Sequence, residues 1–360
     1  MALAREFLNL GEAIHGGPVE SSILSRLEEI FPDHVSIPVT TKYWNIEHEE
    51  VRINNKLVKS VAMPYTSGCA RGKIGREIGL YQMPPHPFAV KNLPISNHEV
   101  ALFYEENKLR RITLPPGSPP SFFLDRKVEG YAEVCSSARL TDTESRNVEV
   151  KVRNGDSYIV LGAHVDHWLT GYHDNLLSVE ILAEMKAVLE KIKLKHGLKI
   201  AFFSSEEGPR CCMGSSQYPM KDVFAIISLD ALYPSRVVFS STPDLWFLSR
   251  HFRIKRIEMP TPFSDHFPFV QRGIPGLVLY NDDMIGVYHS NVDLPLQEDV
   301  TYKENLKESL VKAILELDST TEERLYKEFM RVARESGYSG DKREGSIIPD
   351  LENLTSKFRK

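Results

Sequence analysis

A chain of 360 residues, 42% hydrophobic and 26% charged, can bury a sizeable core and exceeds the usual limit of one compact domain, so a large domain with an insertion or appendage is expected. Its net charge of −5 and pI near 6.2 offer no electrostatic attraction to nucleic acid or an anionic membrane surface, and no stretch reaches membrane-spanning length. Neither partner is expected; a homo-oligomer is compatible with this composition.

The amino terminus reads as an amphipathic helix rather than a secretory signal, because Arg5 and Glu6 interrupt its apolar residues. Ser21 to Phe31 places Ile23, Leu24, Leu27, Ile30 and Phe31 on one helical face. From Val35 the texture turns to alternating strand, with Asn54-Asn55 suited to a hairpin. Residues 1–54 are thus read as helices and first strands of the main domain. Residues 55–135, with Pro84-Pro85-His86-Pro87 and Leu114-Pro-Pro-Gly-Ser-Pro-Pro120, read as a small β-rich inserted domain whose strands include Glu99–Tyr104 and Ser121–Leu124. His86 and His98 stand there without partners at ligand spacing.

From 136 to 318 strands and helices alternate, which predicts an α/β fold with a mainly parallel mixed sheet and helices on both faces. Tyr158–Leu161, Leu198–Phe203, Val223–Leu229 and Gly276–Tyr280 are its strands. Asn175–Lys193 is the crossover helix, with Ile181, Leu182, Met185, Val188, Leu189 and Ile192 facing the core. Residues 319–360 form a helical extension with a charged end.

The chemistry collects where these strands stop. His164 and Asp166 follow the first, Asp174 opens the next helix, Glu206 and Glu207 follow the second strand, Asp230 the third, and His289 lies beyond the fourth. In open α/β sheets that edge is where ligands bind. Two positions apart on an extended chain, Asp166 can receive one ring N–H of His164 while the other nitrogen faces a cation. Converging carboxylates repel one another unless divalent cations sit among them. Imidazole and carboxylate ligands without thiolate suit Zn²⁺, with Co²⁺ or Mn²⁺ as substitutes. Five such ligands with one bridging carboxylate could hold two metals sharing a water, leaving one of Glu206 and Glu207 to take its proton.

The series Gly162-Ala-His-Val-Asp166, Asp174-Asn175, Ser205-Glu-Glu-Gly208, Leu229-Asp230, Ser264-Asp-His-Phe-Pro-Phe269 and Tyr288-His-Ser290 resembles metallopeptidase family twenty-eight, the dinuclear zinc aminopeptidases. The resemblance implies that His164 and Asp230 bind one zinc, Glu207 and His289 the other, and Asp174 bridges them. It gives Glu206 the general base, acting on a metal-bound water, and Asp166 the carboxylate behind His164. It implies a peptide substrate with a free amino terminus. The β-rich segment is similar in position to the protease-associated domain of several members.

The loop from Asp166 to Asp174 is short and crowded with Trp168 and Tyr172; these, with His266, are expected to wall a hydrophobic substrate pocket. His167 and His173 are read as wall residues. Asp282 and Asp283 are candidates to anchor the substrate ammonium. Carboxypeptidase, other amidohydrolase, glutaminyl cyclase and ligand-less receptor readings are the alternatives, the last weakened because every ligand is present. Cys69, Cys135, Cys211 and Cys212 have no zinc-finger spacing, and adjacent cysteines rarely bridge, so buried free thiols in a reducing cytoplasm are expected.

Overall fold

Two helices open the chain in the computed structural model, which describes residues 2–335: α1 (Ala2–Leu8) and α2 (Pro18–Ile30). Pro18 starts α2 where its missing N–H costs nothing, and Ile23, Leu24 and Leu27 are fully buried. Strand β1 (Val35–Ile53) then turns through Asn54 and Asn55, both at positive φ, into β2 (Lys56–Val58). With Ile53 opposite Lys56, this is the two-residue hairpin that an asparagine pair favours.

Next come β3 (Ser60–Ala62), β4 (Gly68–Lys73), β5 (Ile78–Gln82), β6 (Val100–Tyr104) and β7 (Ser121–Leu124). Strand β8 (Tyr131–Arg153) returns antiparallel along the whole of β1. A separate four-stranded sheet runs in the order β3, β7, β6, β5. Its inner strands are buried on both faces, which accounts for their unalternating apolar sequence. The expected borders near 55 and 135 fall at the far end of the β1–β8 ribbon, which belongs to the larger sheet; β4 also pairs with β8 rather than with the smaller sheet.

The remaining strands and α-helices are β9 (Tyr158–His164), α3 (Leu177–Leu189), β10 (Gly197–Phe203), α4 (Met213–Ser216), β11 (Val223–Leu229), β12 (Val237–Ser241), β13 (Ile254–Glu258), α5 (Phe267–Val270), β14 (Gly276–Tyr280), α6 (Asp299–Asp318) and α7 (Glu322–Glu335). The large sheet has the order β13, β12, β14, β11, β9, β10, β8, β1, β2. Its middle strands β14, β11, β9 and β10 are parallel, and antiparallel pairings of β12 with β14 and β8 with β10 flank them. The sheet is therefore mixed, with a parallel centre, as the alternation of elements predicts. His164 pairs in register with Phe203, so the carboxyl ends of β9 and β10 finish side by side.

Helices α1, α2, α3 and α6 cover one face through residues such as Ile159, Leu161, Phe202, Ile227 and Leu279. Val160, Ala201, Phe203 and Ile226 face the other side, against Tyr218 and Phe269. Each such buried aliphatic or aromatic side chain contributes about 1.5–3 kcal/mol. The buried Lys303 ammonium of α6 donates to Glu180 of α3 at 2.7 Å, tying the two helices together. Val188, expected in the core, is instead 47% exposed, because α3 turns Ile181, Leu182, Met185 and Leu189 inward. Among the described residues, no helix is long and apolar enough to cross a membrane. The expected carboxyl-terminal extension continues from 336 onward outside the described residues.

Candidate metal centre

Parallel pairing of β9, β10 and β11 sets the carboxyl ends of three strands beside one another, and the site is built there. His164 is the last residue of β9, Glu206 and Glu207 lie just past β10, and Asp230 directly follows β11. Asp174 sits in a short helical turn, Tyr172–Leu176, where its own φ of −121° and ψ of 82° leave the helix. His289, at φ 50°, arrives from the segment after β14.

These elements bring all five expected ligands together. His164 Nε2 is 3.3 Å from Asp230 Oδ1 and 3.4 Å from Asp174 Oδ1. His289 Nε2 is 2.7 Å from Glu207 Oε1 and 3.4 Å from Asp174 Oδ2. The two oxygens of Asp174 thus face two different imidazoles. His164, Asp174 and Asp230 form one group of potential ligand atoms, all within 4.8 Å of one another, and Asp174, Glu207 and His289 form a second. Asp174 Oδ1 is buried yet makes no hydrogen bond of normal geometry. Ligands gathered around a common point behave this way, and the donor set of nitrogen and carboxylate oxygen fits a pair of zinc-like cations.

The electrostatics follow from burial and crowding. Burial works against charge on His164, but Asp166, Asp174 and Asp230 outweigh it and raise its pKa well above the usual imidazole range. His289 is opposed by burial in the same way, and Glu207 and Asp174 bring it up to about 10. Burial pushes Asp174 upward, but its contacts with His164 and His289 prevail and hold it well below the usual carboxylate range. Burial raises Glu206 well above that range, and the charges of Glu207, Asp230 and Asp265 add to the rise against the opposing pull of His164.

A second layer fixes these groups, and here the structure corrects one expectation. His164 Nδ1 donates to the backbone carbonyl of Asp166 at 2.9 Å, while the Asp166 carboxylate lies 3.7 Å from that nitrogen. That carboxylate instead accepts the backbone N–H of Glu206 at 3.0 Å and of Glu207 at 2.8 Å. Asp166 therefore positions both glutamates. The buried Glu20 of α2 accepts the N–H of Ser205 at 2.7 Å, holding the preceding residue of the turn.

His289 depends on the β-rich segment. Its Nδ1 lies 3.2 Å from the carbonyl of Arg111, whose N–H donates to the His289 carbonyl at 3.0 Å. The Arg111 guanidinium is itself clamped by Glu12 and Glu49. Tyr65 donates its hydroxyl to the Glu207 carbonyl at 2.8 Å and lies 2.9 Å from His15 Nε2. His15, without site context in the sequence, is thus part of the support. On the opposite side Asp293 accepts the N–H groups of His173 and Asp174 at 2.9 and 3.2 Å. His173, read as a wall residue, is buried between Asp293 at 2.6 Å and Asp299 at 3.0 Å. Glu20, Tyr65 and Arg111 lie far from the expected ligands in sequence, and Asp293, four residues after His289, supports groups 119 and 120 positions away, so only the fold reveals these supports.

The expected pocket residues are not pocket walls. Trp168, Tyr172 and His266 are 1%, 0% and 0% exposed. The short loop folds inward, so its aromatic rings complete packed layers instead of facing substrate. Tyr172 joins the main core, and burial lowers the His266 imidazole to about 3. Trp168 keeps a connection to the site because its indole N–H donates to Glu207 Oε2 at 3.1 Å. Asp282 and Asp283 are already paired with Lys255 at 2.8 and 2.6 Å. The cysteines also depart from expectation: Cys69–Cys135 and Cys211–Cys212 are disulfide-bonded, the first bridging the directly opposed strands β4 and β8.

Comparison with known proteins follows the same lines. The model of Peptidase family M28 matches residues 147–314, while no curated protein sequence matches. Three of the solved structures that share the fold illustrate the similarity. A peptidase M28 precursor from Shewanella amazonensis is 14% identical, with a TM-score of 0.69 over 89% of this chain and 94% of that one. A zinc aminopeptidase from Bacillus subtilis is 15% identical, with a TM-score of 0.65 over 89% and 97%. An aminopeptidase from Aneurinibacillus sp. strain AM-1 is 16% identical, with a TM-score of 0.57 over 88% and 93%.

Proposed function

We propose, proceeding from the membership of residues 147–314 in peptidase family M28, that this metal-dependent hydrolase is an aminopeptidase with two zinc ions and a glutamate general base. His164 and Asp230 would hold one ion, Glu207 and His289 the other, with Asp174 shared. The observation that carries this reading is the placement of Asp174, whose two oxygens face His164 and His289 separately. The zinc aminopeptidase of Bacillus subtilis has the same fold, which supports the choice of metal and of amino-terminal cleavage.

Two zinc ions would act as Lewis acids, acidifying a water and polarising the scissile carbonyl. The chain's own groups do the rest. Glu206, raised by burial, takes the proton of the attacking water and holds it for the departing amine; a carboxyl with raised pKa suits both halves of that transfer. Asp166 keeps Glu206 and Glu207 in register by gripping their consecutive amides. Trp168 fixes the Oε2 oxygen of Glu207, so Oε1, which faces His289 Nε2 at 2.7 Å, would be the oxygen that helps hold an ion.

The reading is tested with a panel of amino-acyl anilides and their amino-blocked counterparts, with and without a chelator. Cleavage of the unblocked substrates alone, abolished by chelation and restored by Zn²⁺ or Co²⁺, is expected. Equal cleavage of blocked substrates would move the protein to another class of amidohydrolase. The support of Glu207 is tested with Trp168→Phe, which keeps an aromatic side chain, though a smaller one, and removes the indole N–H. Zinc affinity is expected to fall about 10–100-fold, the usual effect of losing such an outer partner. Competition against a chromophoric chelator measures it; an unchanged affinity would deny Trp168 that role.

A further inference from the structure

Two sulfur atoms lie against the carboxylate that the proposed mechanism uses as base. Past β10 the chain folds back on itself: Cys212 donates its N–H to the Glu206 carbonyl at 3.1 Å, and Met213 donates to the Ser205 carbonyl at 3.1 Å. The loop thereby brings residues 211 and 212 beside the Glu206 side chain. Cys211 Sγ is 3.2 Å and Cys212 Sγ 3.4 Å from Glu206 Oε1. A disulfide has no S–H to donate, so the bonded pair presents only sulfur lone pairs to this oxygen.

Opening the disulfide changes the chemistry. Glu206, Cys211 and Cys212 offer three ligand atoms within 4.8 Å of one another, two soft sulfurs and one hard oxygen. This donor set differs from that of the His164 and His289 groups, which contain no thiolate, and it selects a different kind of ion. Both thiols come from adjacent residues of a loop already fixed by backbone hydrogen bonds, so engaging the second after the first requires little further ordering. Cys212 is only 3% exposed and Cys211 is partly exposed, leaving a route for a small reagent from the Cys211 side.

We infer that Cys211, Cys212 and Glu206 form a binding site for one thiophilic ion, a trivalent arsenical or a soft divalent cation such as Cd²⁺, which exists only in the dithiol state. Opening the site takes two electrons and two protons. A phosphine supplies the electrons and becomes its oxide, with water supplying the oxygen and both protons. Phenylarsine oxide then exchanges its oxygen for the two sulfurs: two As–S bonds form, and the two thiol protons leave with that oxygen as water. The bound ion faces Glu206 Oε1 and takes that oxygen away from proton transfer. This last consequence rests on Glu206 being the base; the site itself does not.

The full chain is reduced with a water-soluble phosphine, freed of it, exposed to phenylarsine oxide, and read by intact mass and peptide mapping beside the unreduced chain. One phenylarsenic group is expected on the reduced chain, mapped to the peptide carrying Cys211 and Cys212, and none on the unreduced chain. A Cys69→Ser/Cys135→Ser variant, lacking the other cysteine pair, is expected to take up the same group. Anilide hydrolysis is expected to fall in proportion to the adduct and to return when a small dithiol removes the arsenical. No adduct on the reduced chain, or an adduct confined to Cys69 and Cys135, overturns the site. An adduct at Cys211 and Cys212 with hydrolysis untouched overturns the participation of Glu206. Failure of the base assignment shows separately, in the activity of Glu206→Gln on the unreduced, arsenic-free chain.

Discussion

Glu206→Gln is expected to lower kcat by about 10²–10⁴-fold while the chain keeps its zinc, the range that general acid–base catalysis supplies. The two effects separate because of where the side chain sits. Glu206 belongs to neither of the ligand groups that contain an imidazole, so an amide in its place removes no proposed metal ligand. Its backbone N–H remains on Asp166 Oδ1 whatever the side chain is, so Glu207 keeps its place as well. What is lost is a carboxylate able to accept a proton, and an amide of the same shape cannot replace it. Steady-state kinetics paired with metal analysis of the same preparation separates these outcomes. A Gln variant with wild-type turnover would remove Glu206 from the reaction, and one that had shed its metal would make it a ligand.

Asp174→Ala is expected to lose metal and activity together, with residual turnover no higher than that of Glu206→Gln. Asp174 is the one side chain common to the His164–Asp230 and Glu207–His289 groups, so its removal takes a ligand from both. It is also the anion between two imidazoles whose protons a metal must displace. Because His164 and His289 are both held protonated well above the ordinary imidazole range, metal affinity falls as pH is lowered. Dialysed Asp174→Ala should contain little zinc at neutral pH. Retention of one full equivalent, with partial activity, would mean that Asp174 serves one ion only.

Much of this side-chain cluster was legible in the sequence because the proposed ligands follow strands. An apolar run that stops at His164, another that stops before Glu206 and Glu207, and a third that stops before Asp230 can be read locally; parallel pairing then delivers their ends to one edge. His289 was harder, since it lies nine residues beyond the end of β14 at Tyr280, and its pairing with Glu207 at one ion depended on the family resemblance. The long strand β8 was only partly visible. Its middle, Leu140 to Glu144, is polar and largely exposed, because there the β1–β8 ribbon has a face toward water, and the pattern does not read as a buried strand.

Functions assigned by spacing fared less well where a loop had two ways to fold. Trp168 and Tyr172 in a short loop beside the proposed centre were expected to wall a pocket, and inward folding of the loop made them packing. The pairing of Asp166 with the His164 ring assumed an extended chain; in the structure the ring reaches the Asp166 carbonyl first, freeing the carboxylate for the glutamate turn. Cys69 and Cys135 are separated by 66 residues and become neighbours only through the pairing of β4 with β8. The supports from Glu20, Arg111 and Asp293 are likewise long-range and have no local pattern to betray them.

Zinc equivalents per chain, measured on purified unreduced protein, test the proposed dinuclear centre around Asp174 most directly. Two equivalents are predicted, both removed by a strong chelator with complete loss of anilide hydrolysis. A single equivalent in fully active protein, or undiminished hydrolysis after the metal has gone, would contradict it.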